Sequence, residues 1–219
     1  MGKNLIIEKI ILNVKKRIIN ERKTDELSLR ISRMIVKQFK KNENFEFEGI
    51  YFERGDDYAS FDLKCKFIKD KNLDEPFSID ASADMQEMEI EITYNPKDFP
   101  KSMNDLVAEI KETVEHELEH IEQQNFEDMD VDKEDDIDDE SEEYNFKYLT
   151  SKVEIPAYVR GLIKRSKTKK MTLNAAMDEW FEENKKNFKD QKKDWPRVKK
   201  IWMDHANEMR DKEKIKKFK

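Results

Sequence analysis

The chain predicts an α+β fold with a mostly antiparallel sheet, because its hydrophobic period changes twice. Helical spacing runs through residues 4–41, a period near two runs through 45–95, and helical spacing returns from Ser102 to the end. The third observation is the pentapeptide His116-Glu117-Leu118-Glu119-His120, the H-E-x-x-H pattern, inside the first helix after the sheet. These changes divide the chain into an N-terminal helical segment (1–43), a sheet with a metal-binding helix (44–126), an acidic mobile loop (127–146) and a C-terminal helical region (147–219), expected to form one compact unit.

In the first segment, Leu5, Ile6, Ile10, Val14 and Ile18 form one stripe. After a cap at Thr24-Asp25, Leu27, Ile31, Met34, Ile35 and Phe39 continue it. Packing against the body is the expectation for such helices. Strands are expected at Phe45-Glu48, Ile50-Phe52, Tyr58 to Ile68, Phe77 to Ala83 and Glu87 to Tyr94, with a hairpin turn at Gly55-Asp56-Asp57. One apolar and one charged face, clearest in Glu89-Ile90-Glu91-Ile92, implies an antiparallel sheet with a solvated side. Cys65 falls on the apolar face and reads as core.

Ser102 with Asp105 resembles a capping box and starts the next helix. Leu106, Val107, Ile110, Val114, Leu118 and Ile121 make its stripe with Met103. His116 and His120 project together from one flank, since residues four apart share a helix face. Both imidazoles can then bind one Zn²⁺, with Glu117 beside it to take a proton from a bound water. The chain has three histidines, and two lie in this pattern.

A catalytic zinc needs a third protein ligand and an open position. Glu154 is the first choice: it shares a helical face with Ala157, Tyr158 and Gly161, whose small members let two helices approach. Ser151-x-x-Glu154 also fits a capping box, in which Glu154 would only cap a helix. His205 is a rival ligand, and Asp128 and Asp130 are further candidates in the acidic loop. A stabiliser for the oxyanion could be Tyr158, one turn after Glu154, or His205.

These residues resemble a gluzincin of the zincin superfamily: a strand-rich region, the H-E-x-x-H helix, then a Glu on a following helix. Ile121-Glu122-Gln123-Gln124, and Tyr148-Leu149 leading into Glu154 to Val159, are similar to small metallopeptidase-like proteins encoded by tailed phages. The resemblance covers roughly residues 94–164. It implies a zincin-like fold, a zinc held by His116, His120 and Glu154, Glu117 as general base, and a peptide or protein substrate paired along an edge strand. The long metzincin extension is missing, because position 123 is Gln and position 126 is Phe. The alternative is a catalytically silent zincin-like protein that binds metal or peptide, in a phage structural or host-interaction role.

Composition sets the remaining bounds. Of 219 residues, 42% are charged and 37% hydrophobic, so the core must be compact and the surface highly charged. A single cysteine precludes an internal disulfide and suits a reducing compartment. No signal peptide is expected, since Glu8 and Lys9 interrupt the apolar Leu5–Leu12 stretch, and no run approaches about 20 apolar residues. A cytoplasmic protein, in the host cytoplasm if phage-encoded, with no membrane partner is the expectation. Abundant Lys, Asn, Ile and Glu fit an AT-rich bacterial or phage genome. The net charge of −7 hides a division: residues 127–143 hold twelve acids and one lysine, whereas 147–219 hold 22 Lys/Arg and 11 Asp/Glu. Asp128-x-Asp130-x-Asp132 departs from a calcium loop, with Lys133 at the glycine position and Asp139 at the final glutamate position. Helices are expected at Glu154 to Lys170, Thr172 to Lys186 and Trp195 to Lys216, with Trp180, Phe181, Phe188, Trp195, Ile201 and Trp202 as their core. Acidic residues mixed among these lysines, and aromatics at packing spacing, argue against a nucleic-acid partner.

Overall fold

A computed structural model describes residues 24–54, 57–126, 146–185 and 191–216. The fold is α+β, with a four-stranded sheet and six helices among the described residues. Helix α1 (Thr24–Lys41) precedes strands β1 (Phe45–Arg54), β2 (Asp57–Lys69), β3 (Phe77–Ala83) and β4 (Glu87–Tyr94). Helices α2 (Met103–Phe126), α3 (Phe146–Leu149), α4 (Glu154–Lys169), α5 (Leu173–Asn184) and α6 (Gln191–Lys216) follow. The N-terminal stripe from Leu5 to Ile18, the acidic segment with Asp128 and Asp130, turn residues 55–56 and Phe188 lie outside the described residues.

The sheet is mixed and mostly antiparallel, with two of its three strand pairings antiparallel. Its order is β1-β2-β4-β3, with β1–β2 and β3–β4 antiparallel and β2–β4 parallel. Burial accounts for the crossover. In β4, Met88, Ile90, Ile92 and Tyr94 are all buried, so this strand gains most from a central position. In β3, small Ala81 and Ala83 alternate with exposed Ser78, Asp80 and Ser82, which an edge position tolerates. The β3–β4 turn is tied by Asp84, whose Oδ1 accepts from the N–H groups of Gln86 (2.7 Å) and Glu87 (2.8 Å). On the charged face, Lys64 pairs with Glu87 at 2.5 Å.

The two short strands expected within residues 45–52 are one strand broken by a bulge. The register slips between Phe47 and Ile50, where Gly49 takes φ +64° and donates its N–H to Asp62 Oδ1 at 2.8 Å. A left-handed backbone at this point favours glycine.

The apolar sheet face is covered by α1 and α2. Phe61, Leu63, Cys65 and Phe67 of β2 pack with Leu27, Ile31, Ile35 and Phe39 of α1 and with Leu106, Ile110, Val114, Leu118 and Ile121 of α2. Burial pushes the Cys65 thiol up to about 12, consistent with its reading as core. A second core lies among α3–α6, where Leu149, Leu162, Met177, Trp180, Trp195 and Trp202 meet. The Trp202 indole N–H donates to the Leu149 carbonyl at 2.9 Å. Among the described residues, no helix is long and apolar enough to cross a membrane.

Helix α2 belongs to both halves. One side faces the sheet and the other meets α4, so Glu115, Glu117, Glu119, His120, Glu122 and Gln123 are buried in addition to its apolar stripe. Charge pairs run along the α2–α4 seam: Glu112–Arg165 (2.9 Å), Glu115–Lys164 (3.2 Å) and Glu119–Arg160 (2.7 Å). The approach is close because Gly161 has no side chain; a Cβ there would stand 3.1 Å from the Glu112 carbonyl oxygen.

Candidate metal centre

The H-E-x-x-H segment runs from the fourth into the fifth helical turn of α2, and α4 brings Glu154 against it. The imidazole Nε2 atoms of His116 and His120 are 3.0 Å apart. Glu154 Oε2 lies 3.5 Å from His116 Nε2, and Oε1 lies 3.6 Å from His120 Nε2. A tetrahedral zinc site with ligand distances of about 2.0–2.1 Å has edges of about 3.3–3.4 Å between donor atoms. The three atoms therefore already form one face of such a tetrahedron. Among the described residues this is a group of His, Cys, Asp or Glu side chains whose ligand atoms all fall within 4.8 Å of one another.

The donor chemistry fits zinc as well as the spacing does. Burial holds both imidazoles below their usual proton affinity, and the His120 charge adds to this at His116, so each is neutral with a lone pair to offer. Burial pushes the Glu154 carboxyl up to about 7. Its Oε2 is buried without a hydrogen-bond partner, a cost that a cation would remove. A partner for the ring of His120 is in place: Gln123 Oε1 stands 3.3 Å from Nδ1. A proton on Nδ1 leaves Nε2 free for a metal.

Local sequence sets the position of Glu154. Ser151 Oγ accepts the Glu154 N–H at 3.1 Å, so the serine half of the capping box is formed. The Glu154 carboxylate, however, faces the two histidines. A hydrogen bond from Tyr148 offsets part of the burial effect on this carboxyl. Gln123 Nε2 donates to the Val153 carbonyl at 3.0 Å, fixing the residue before Glu154 to α2.

Glu117 lines the same cleft and is 7% exposed. Burial first, then the charges of Glu154 and Asp80, push its carboxyl up to about 8. Tyr158 also lines the cleft. Its ring meets that of His116 edge to face at 4.7 Å and stacks on Trp202 at 4.9 Å, so the second core buttresses the first histidine. His205 lies half-buried on α6 and is not among the cleft-lining residues. Asp128 and Asp130 lie outside the described residues.

Tyr148 and Gln123 were not singled out as site residues by sequence reasoning. Gln123 lies at i+3 from His120, a spacing at which a side chain can reach the ring of the preceding turn. Tyr148 carried no comparable signal, because its reach to Glu154 depends on the turn at 150–153. The edge strand β3 forms the opposite wall of the cleft through Ile79–Ala83. No family model, curated protein or solved structure matches this chain.

Proposed function

We propose that the chain is a zinc-dependent metallopeptidase of zincin-like architecture, acting on an extended polypeptide. The observation that carries this reading is the convergence of His116 Nε2, His120 Nε2 and a Glu154 carboxylate oxygen at tetrahedral spacing on the wall of a cleft. Two imidazoles and one carboxylate make a catalytic donor set, which leaves a position for water. A zinc ion held there supplies Lewis-acid polarisation of a carbonyl and brings the pKa of its water to about 7.

The other roles belong to the chain. Glu117 adjoins His116 and shares its cleft; burial makes its carboxylate a stronger base than usual, and a cation held by the neighbouring ligands would favour its ionised form, so that it can take a proton and return it to a leaving amine. Tyr148 and Gln123 orient Glu154 and His120, and Tyr158 supports the His116 ring. β3, which pairs only with β4 among the described residues, offers backbone groups on its other edge to which a substrate strand can add. The order of sheet, H-E-x-x-H helix and Glu-bearing helix is the one that the zincin resemblance implies.

Metal analysis by mass spectrometry on wild type, His116→Ala and Glu154→Ala tests the centre. The expected result is about one zinc per chain, lost in the first variant and weakened in the second. Glu117→Gln should keep the zinc and lose peptide hydrolysis. Zinc unaffected by His116→Ala would overturn the centre. Hydrolysis retained in Glu117→Gln would overturn the assigned base. Zinc binding without hydrolysis in wild type would leave the silent metal- or peptide-binding scaffold.

A further inference from the structure

The cleft has a pronounced charge imbalance away from the metal ligands. Beyond Glu117 and Glu154, four carboxylates line it, Asp80, Glu109, Glu112 and Glu183, against one cation among the described lining residues, Arg165. That cation is already engaged. Its Nη1 binds Glu112 at 2.9 Å, and its Nη2 binds Glu183 at 2.5 Å and Glu179 at 3.1 Å. Glu109 has no ion pair or hydrogen bond to another described residue. A further carboxyl points to a ligand in the same cleft: Glu117 is more than nine-tenths buried and has no ion pair or hydrogen bond to another described residue.

We infer that the cleft selects peptides carrying a lysine or arginine side chain two to three residues from the scissile bond, received by Glu109 beside Glu112 and Glu183. This rests on the peptidase reading and names its substrate class. Glu109, Glu112, Thr113, His116, Glu117 and His120 follow one another along the cleft face of α2. Glu109 precedes His116 by seven residues, which is about 10 Å along a helix. An extended peptide covers that distance in about three residues. A cationic side chain brought there gains a carboxylate that no described cation contacts directly, while an acidic one meets a surplus of carboxylates over the single arginine among the described lining residues. Burial first, then the charges of Glu112 and Glu183, push Glu109 up to about 7 against the opposing charges of Arg165 and Lys169.

The test uses the full chain as zinc-loaded Glu117→Gln, which should hold peptides without cutting them. Fluorescence anisotropy compares two extended peptides differing only in lysine against methionine, with the variable residue scanned along the strand. The lysine peptide should bind about tenfold tighter at one register. The added change Glu109→Gln should remove most of that preference with zinc content unchanged. Glu46→Gln, on exposed β1, should retain it. Equal binding of both peptides, no binding of either, or a preference that survives Glu109→Gln overturns the inference. Cleavage by wild type is scored separately: peptide bound with the lysine preference but never cut would overturn the peptidase reading and leave the basic subsite standing.

Discussion

His120 and Gln123 stand 3.3 Å apart from Nδ1 to Oε1, and the same Gln123 side chain donates to the Val153 carbonyl at 3.0 Å. One carboxamide therefore orients a ring on α2 and holds the residue that precedes Glu154 on α4. Two of the three proposed ligands depend on it.

Gln123→Leu should lower zinc affinity about 10- to 100-fold, the usual effect of removing a ligand's hydrogen-bond partner. Competition with a chromophoric chelator measures it. Unchanged affinity would mean that the His120 ring is oriented by packing alone.

Gly161→Ala should destabilise the protein despite alanine's helix preference. The new methyl group would meet the Glu112 backbone oxygen at 3.1 Å and its Cγ at 3.2 Å, and a backbone carbonyl inside a helix yields little. Overpacking costs about 1–3 kcal/mol, against a helix gain of at most about 1 kcal/mol. A lower urea midpoint is expected, together with weaker zinc binding as α4 moves away from α2. An unchanged or higher midpoint would show that the seam can open without cost.

Arg165→Met should cost about 3 kcal/mol, because the guanidinium is 3% exposed and its Glu112 partner 12% exposed. Glu179 and Glu183 are more exposed and add little. Adding Glu112→Leu should recover part of the loss, since the unpaired buried carboxylate is then gone. Chemical denaturation of both variants measures this. Equal stability of single and double variants would assign the loss to packing instead.

The pH dependence of stability should carry the signature of Glu109. Its folded value of about 7 lies above the ordinary 4.5, so the native state holds this proton longer than the unfolded state. Stability is therefore lost as pH rises from about 4.5 through 7. Glu109→Gln removes that loss: it should match wild type below about pH 4 and exceed it by about 3 kcal/mol above pH 7. Thermal melts across that range, with chelator present, give the comparison. A constant difference at all pH values would show that Glu109 is solvated in the folded state.

The sequence by itself determined what local rules control. Alternating β-branched and aromatic residues gave the strands, and Ser102, with the apolar spacing after it, gave α2. The i, i+4 spacing of His116 and His120 put their Nε2 atoms on one face, because helix geometry allows little else. Alternation also placed Cys65 in the core. Tertiary structure decided what depends on competition between distant segments. The exchange of β3 and β4 in sheet order was settled by which strand had more apolar surface to bury, and that created the parallel β2–β4 pair. Whether Glu154 capped a helix or faced the histidines depended on how closely α4 could pack. Gly161 allowed that approach, and Gln123 and the Arg165 ion pairs fixed it. The same packing left His205 outside the cleft, brought Tyr148 to Glu154 across a turn, and lined the cleft, among the described residues, with four further carboxylates and one engaged arginine. Side chains far apart in the chain meet only once the two cores have closed on either side of α2.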